Sequence, residues 1–572
     1  GGIYQVLTAE SGGPKKPRIL LEEPEKSLLL LKPTGTVPHG GGVRLAVDSP
    51  EYEVILDWIR RGALYEQKNT TKPVTIERLE VYPRSAVLDL QGTQQLLVTA
   101  HLSNGQQEDL TEQVRYVSNN PDVIQVSNGG RVTAVREGET SVLIRAAGHS
   151  LSTVFGVITE PIANYPKIPR RNLIDEHVFA KLQKFNILPS NLSTDAEFLR
   201  RVCLDLAGTL VPLQRTKEFL ADQEPLKRDK LIEVLLESPQ YIDYWTLYFG
   251  NLLRVSYNTT SDENRTQEYW DWLRKRIAQN KPYDQIVRER ITAQGWGGPT
   301  IHYFRLSGEL LPVHEVMPEQ IRAFFGRRLD CAQCHNHPFE AWSQNQYWGL
   351  AAFYGSLSYL RKPYELVIDD PAGHVMFEEP RVIHPREGTL VKPAFLNGKS
   401  PIVKRTQLRA AFSQWITAHP YFAEATVNRI WGHFFGRGIV DPVDDFREAH
   451  PPSHPNLLQA LAREFRQHDY DLKHLIRLIV HSRTYQLSST PNETNRNDKI
   501  NYSHSLPRPL SAEVLLDAVS RVTGVNENFE VHSFAGGGIA PSGTRAVQLI
   551  GPEVYPSYFM DTFGRATRIR LQ

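Results

Sequence analysis

Apolar residues recur along this chain with two periods, and the switches between them mark its segments. Tyr52, Ile55, Leu56 and Ile59 fall at i, i+3, i+4 and i+7, one face of a helix. Ser49 is placed as its N-cap, with Pro50 at the first helical position and Glu51 and Glu53 in the first turn. Arg60 and Arg61 close it and Gly62 stops it. Pro38-His39-Gly40-Gly41-Gly42 before it predicts a sharp turn or a close approach of backbone. Residues 67–74 are a polar linker. From 75 to about 160 the runs shorten to strands: Ile76, Leu79 and Val81, then Leu96 to Ala100, Val123 to Val126, Arg131 to Val135 and Ser141 to Ala146. Asn128-Gly129 between two such runs predicts a hairpin. The regular spacing predicts a β-sandwich of roughly 85 residues.

A Pro-rich stretch at 161–170 separates this segment from helical periodicity. Ile174, Val178 and Leu182 mark one helix, Phe198, Val202 and Leu206 the next, and Leu231, Val234 and Leu235 a third. An aromatic-rich run follows from Tyr241 to Leu253, then Trp270 to Ile277. Ile321, Phe324, Phe325 and Leu329 face one side of a helix that ends at Cys331. Residues 361–400 are Pro-rich and read as an insertion or linker; helices resume near 406 and run to 485. The fold class is therefore multidomain, mainly α with one all-β sandwich, divided as 1–66, 75–160, 168–360, 361–400 and 401–572. A length of 572 residues agrees with several cores. Lys+Arg of 65 against Asp+Glu of 64 gives a net charge of +1, which offers no signal for nucleic acid. No apolar run approaches the ~20 residues of a membrane span. The chain starts at Gly1 without Met, as expected of a mature or trimmed product.

The chemistry concentrates in Cys331-Ala332-Gln333-Cys334-His335. Cys-x-x-Cys-His is the attachment signature of haem c: two thiols form thioethers to one porphyrin, and the adjacent histidine ligates its iron. With 3 Cys and 19 His in the whole chain, chance would produce the pattern on the order of 0.0005 times. A zinc or iron half-site is the rival, because His337 could add a ligand, although Cys203 stands alone and no second Cys pair exists. A redox dithiol is disfavoured, since no βαβ pattern surrounds the motif.

Taken together, the segments resemble the planctomycete-type multidomain secreted cytochromes. In these a cytochrome-c-like domain, a bacterial Ig-like domain of group 2 and two cytochrome-associated helical domains of unknown function follow one another. Residues 27–63, with Ser27 to Gly35 and Pro38 to Gly42, resemble the C-terminal half of the cytochrome-like domain. Residues 117–135 carry the Ig-like pattern. Residues 329–354 resemble the first helical family, and 428–446 with 481–488 the second. Residues 1–66 contain no Cys, so no covalent haem is assigned there. Phe563-Gly564-Arg565 sits where the second family normally continues, which implies further residues beyond the end of this chain. The resemblance implies a periplasmic, secreted or cell-surface haem protein.

The reading that follows is one covalent haem c with its iron, attached at Cys331 and Cys334 and ligated by His335. It would serve electron transfer with a redox partner protein or oxidoreduction of an extracellular substrate. The sixth ligand decides between the two, and His433, Met317 and His314 are its candidates. Trp342, with Tyr347 and Trp348, is expected to pack the porphyrin. His39 is a candidate ligand for a second haem, against the simpler reading of a turn histidine. Asp441, Asp444, Asp445 and Glu448, beside His450 and His454, match no rigid metal template and read as a solvated loop. Two alternatives remain: a surface or carbohydrate-binding protein with a structural Cys/His metal, and a metal-dependent polysaccharide hydrolase.

Overall fold

The computed structural model describes residues 18–37, 43, 45–64, 74–146, 148–159, 161–256, 263–304, 310–337, 340, 342–360, 366–370, 382–531, 538–551 and 554–566. The chain forms two compact units, Gly1–Thr75 and Ile76–Gln572.

The first unit holds helix α1 (Pro50–Arg60), capped by the Ser49 hydroxyl accepting from the Tyr52 N–H. Gly62 follows at φ 89°. Tyr52, Leu56 and Ile59 bury against Leu30, so the periodicity identified the correct face. His39 and the three glycines after it lie outside the described residues.

The second unit opens with the sandwich: β1 (Ile76–Tyr82), β2 (Ser85–Asp89), β3 (Thr93–Gln95), β4 (Leu97–Leu102), β5 (Gln107–Asp109), β6 (Arg115–Ser118), β7 (Ile124–Val126), β8 (Arg131–Ala134), β9 (Gly138–Ala146) and β10 (His149–Ile158). Three sheets are ordered β1-β4-β5, β2-β10-β9-β6 and β3-β8-β7. Alternate residues such as Val98, Ala100, Val132 and Ala134 point inward and pack with Leu96, Ile124, Ile144 and Phe155, the period-2 burial of a half-covered sheet. The β7–β8 hairpin is present, but its positive φ falls on Gly130 (76°) rather than on Asn128-Gly129. The Gly130 N–H donates to Ser127 O, 3.0 Å, which closes a four-residue loop.

The helical body follows: α2 (Leu173–Lys184), α3 (Asp195–Ala207), α4 (Leu213–Ala221), α5 (Lys227–Leu236), α6 (Pro239–Leu252), α7 (Glu263–Ala278), α8 (Tyr283–Ile291), α9 (Val313–Phe325), α10 (Gln344–Ala351), α11 (Leu408–Ala418), α12 (Pro420–Phe435), α13 (Pro455–Gln467), α14 (Leu472–His481) and α15 (Ala512–Thr523). The faces expected on α2 and α3 are buried. On α5 the face is shifted: Ile232 and Leu236 are buried, whereas Val234 is 66% exposed.

Two helical domains were expected, yet one apolar core runs from Ile174 to Val547 through both segments. Polar clasps reinforce the union. The buried Asp175 on α2 accepts from Arg483 N (3.0 Å), Thr484 N (2.9 Å) and Thr484 Oγ1 (2.8 Å). Residues 361–400 are equally integral where described. Strand β12 (Leu366–Asp369) pairs with β11 (Leu357–Leu360), and Phe395 stacks on Phe353 and Trp415. The Pro-rich composition signalled irregular backbone, which here is packed rather than free. The molecule is thus multidomain and mainly α with one all-β domain.

The sandwich is anchored on the helical body. Lys181 of α2 bonds Glu139 of β9 (2.8 Å) and Ser453 O (2.7 Å), and Asn119 donates to Ala449 O (2.9 Å). At Gly156 on β10 a Cβ would meet the Phe185 ring at 2.2 Å. Gly156→Ala must therefore displace Phe185, and a loss of about 1–3 kcal/mol in denaturant unfolding is expected. An unchanged midpoint would mean that Phe185 yields freely.

Candidate functional site

Helix α9 ends at Gly326, whose φ of 61° lets the chain turn back toward the Cys motif. The motif begins in a 3₁₀ turn, Asp330–Gln333, with Cys334 as its C-cap and His335 just beyond. Leu329 and Ala332 are buried at 2% and 0% exposure and pin the turn, so the residues between and after them face outward. Cys331 and Cys334 are exposed and unpaired. The N-terminal half of α10 clamps the turn. Gln344 Nε2 and Trp348 Nε1 both donate to Gln333 O at 3.0 Å, and the Gln344 N–H donates to Asn336 Oδ1 at 2.9 Å. A capping box between Ser343 and Gln346 starts that helix.

His335 of the motif and His337 just after it hold different tautomers. His335 Nδ1 lies 2.7 Å from Asn336 O. A carbonyl only accepts, so Nδ1 carries the proton and Nε2 keeps its lone pair for a metal. His337 Nδ1 instead accepts the Glu340 N–H at 3.0 Å, which puts the neutral ring's proton on Nε2. His335 is therefore arranged as a ligand through Nε2, whereas His337 is not. Nor do Cys331, Cys334 and His335 form a closed metal cluster. Among the described residues one group of three His, Cys, Asp or Glu ligand atoms lies within 4.8 Å of one another, and it is Glu464, His468 and His474. Tetrahedral zinc needs its ligands gathered; haem needs two outward thiols and one imidazole, and the residues here fit that demand.

His314, near the start of α9, stands at the same corner. Its ring lies 5.6 Å from that of Trp348, and its carbonyl accepts the Tyr347 hydroxyl at 2.6 Å. Met317, one turn on, is fully buried in the main core. Trp342 is half-buried against that core, and its carbonyl accepts the His337 N–H at 2.7 Å. His433 is occupied elsewhere. Its Nε2 donates to Asp205 O at 3.1 Å, and its ring neighbours are Tyr244, Trp245, Tyr248 and Phe434. Burial pushes its pKa down. It walls a cavity of about 640 Å³ together with Asp205 and Arg508. Asp205 accepts two bonds from Arg508 Nη2 (2.9 and 2.8 Å) and one from the Tyr485 hydroxyl (2.8 Å). Cys203 is buried in the core, and burial pushes its thiol up to about 12, which leaves it inert.

The acidic segment after α12 is a built junction rather than a solvated loop. Asp444 is buried and pairs with Arg322 and with Arg328 (2.8 Å). Burial works to raise its pKa, but the hydrogen bonds from Arg328 and Arg322 outweigh it and hold the carboxyl below its usual range. Asp445 pairs with Arg447 (3.2 Å) and His450 (3.3 Å). Glu340, five residues past His335, is raised to about 7 by burial and then by the charge of Glu448. A carboxyl raised in the folded state stabilises only while protonated. Stability therefore falls as pH climbs from the unfolded value near 4.5 to about 7. Glu340→Gln should flatten that slope in urea unfolding between those limits; an unaltered slope would assign it to other groups.

The comparisons with known proteins follow the same segments. Residues 173–359 match a family described as a protein of unknown function (DUF1549), and 408–569 a second described likewise (DUF1553). Residues 76–144 match the bacterial Ig-like domain, group 2. This arrangement fits the planctomycete-type multidomain description. No curated protein matches. Among solved structures, the surface layer protein SbsC, domains 1-6, aligns at 21% identity over 18% of this chain and 15% of that one, with a TM-score of 0.14. The S-layer protein rSbsC(31-844) aligns at 22% identity over the same shares and with the same TM-score, 0.14. Among the described residues no helix is long and apolar enough to cross a membrane.

Proposed function

We propose that this chain is an extracytoplasmic c-type haem protein that exchanges electrons with a redox partner or substrate. Cys331 and Cys334 would carry the haem through thioethers, and His335 Nε2 would ligate its iron. The observation that carries the reading is the pairing of two outward, unpaired thiols with a histidine whose other ring nitrogen is held by Asn336 O at 2.7 Å. That second bond fixes tautomer and ring orientation, as metal-ligating histidines require. When bound, the group supplies one-electron chemistry whose potential follows its axial ligands and exposure. The chain's own part is to fix the turn: Leu329 and Ala332 anchor it from below, and Gln344 and Trp348 hold Gln333 O from the side. His314 would be the candidate for a second ligand to the group, since Met317 is core and His433 bonds Asp205. The Ig-like domain and the need for haem c maturation both support an extracytoplasmic site. The test is a haem stain on a denaturing gel of chain produced in a periplasm competent for maturation. A reduced-minus-oxidised spectrum of the same sample should show a sharp band near about 550 nm. An unstained band from such cells overturns the reading.

A further inference from the structure

Helix α13 ends on Glu464, in its last turn, and on His468, its C-cap residue. Glutamate and histidine four apart share one helix face. The next two residues, Asp469 and Tyr470, both take positive φ, 50° and 56°, a conformation costly for residues with a Cβ. Tyr470 is held there by packing on Phe422 and Phe465. This tight corner starts α14 with Asp471 as its N-cap and brings His474 back over the end of α13. His468 and His474 stack with ring centroids 3.7 Å apart and 13° between planes. Both aim a nitrogen at the same oxygen, Glu464 Oε1, at 3.3 Å from His468 Nδ1 and 3.0 Å from His474 Nε2.

We propose that Glu464, His468 and His474 form a zinc-binding site, separate from the Cys motif. The three ligand atoms lie within 4.8 Å of one another. Two donors held about 2.0–2.1 Å from a tetrahedral zinc sit roughly 3.3 Å apart, close to the two separations measured here. Two imidazoles and one carboxylate suit a borderline divalent ion and not the hard cations, which take oxygen. Three protein ligands leave a fourth position open. Side-chain exposure is 46% for His468, 23% for Glu464 and 28% for His474, so an ion can enter and the rings can open from their stack. His468 Nδ1 also lies 3.0 Å from Glu464 O; a carbonyl only accepts, so in the neutral ring Nδ1 carries the proton, and zinc binding through Nδ1 would break this bond and move the proton to Nε2.

The test is calorimetric titration of Zn²⁺ into the full chain after chelator dialysis, in a C331S/C334S background so that thiols contribute nothing. One Zn²⁺ per chain is expected. H468A and H474A should each weaken it at least about tenfold, with circular dichroism unchanged because these side chains lie at the surface. H468Q keeps a polar side chain of similar reach and should weaken binding as H468A does. No isotherm in the C331S/C334S chain, an isotherm untouched by the histidine variants, or equal binding of Mg²⁺ would each overturn the site. The readout does not depend on haem, so failure here and failure of the haem reading are distinguishable.

Discussion

Arg409→Met should destabilise the helical body by about 3–5 kcal/mol, read as a lowered urea midpoint. Arg409 is fully buried, and its guanidinium meets both oxygens of Asp369, at 2.7 and 2.8 Å. The same side chain donates to Ile291 O and Ala293 O at 2.9 Å and to the Tyr303 hydroxyl at 3.0 Å. It therefore ties the end of α8, strand β12 and helix α11 together. Methionine fills most of the volume but returns none of these donors. Asp369, 5% exposed, would retain only the neutral donors Ser356 Oγ at 2.9 Å and Gln294 Nε2 at 3.3 Å, too little for a buried carboxylate. The main loss is this uncompensated charge. Adding Asp369→Leu to Arg409→Met should recover much of the stability. A double variant as unstable as the single would place the cost in the orphaned carbonyls instead.

What the sequence disclosed and what it hid divide along local and long-range physics. Helix α1 was legible to its caps, because Ser49, Pro50 and Gly62 act within a turn of where they sit. The strands around Val98 and Val132 were legible because alternation is local. The faces of α2 and α3 were found by period; that of α5 slipped by one position because Leu231 and Ile232, like Leu235 and Leu236, are adjacent and equally apolar. The fusion of two expected helical domains into one core was hidden. It rests on pairs such as Asp175 with Thr484 and Asp205 with Arg508, some 300 positions apart, which no period records. The Cys motif stands out in the sequence because its residues are contiguous. The Glu464, His468 and His474 cluster was missed for the converse reason. The Glu-x-x-x-His spacing was readable, but the turn that returns His474 is made by Asp469 and Tyr470, residues that do not advertise positive φ as glycine does. The neighbours of His433 were not readable either, since its bonding partner, the Asp205 carbonyl on α3, lies some 230 positions away.

The Cys331→Ser/Cys334→Ser double variant should lose the haem stain entirely while its unfolding free energy stays within about 0.5 kcal/mol of the parent chain made without haem. The two effects separate because neither thiol is buried, whereas the residues that shape the turn, Leu329 and Ala332, are untouched and buried. Serine replaces sulfur at similar volume but forms no thioether. Each single variant leaves one thiol and should stain weakly. His335→Ala leaves both attachment points and removes the iron ligand, so the stain should persist while the visible bands shift. His314→Ala should convert a low-spin spectrum to a high-spin one if its ring completes the coordination, since Trp348 and Tyr347 hold it at the same corner. An unmoved spectrum would leave the sixth position open or filled by another group. An open position lets a small molecule reach the iron, whereas two protein ligands restrict it to passing electrons. The spin state in His314→Ala therefore decides between a carrier and an oxidoreductase.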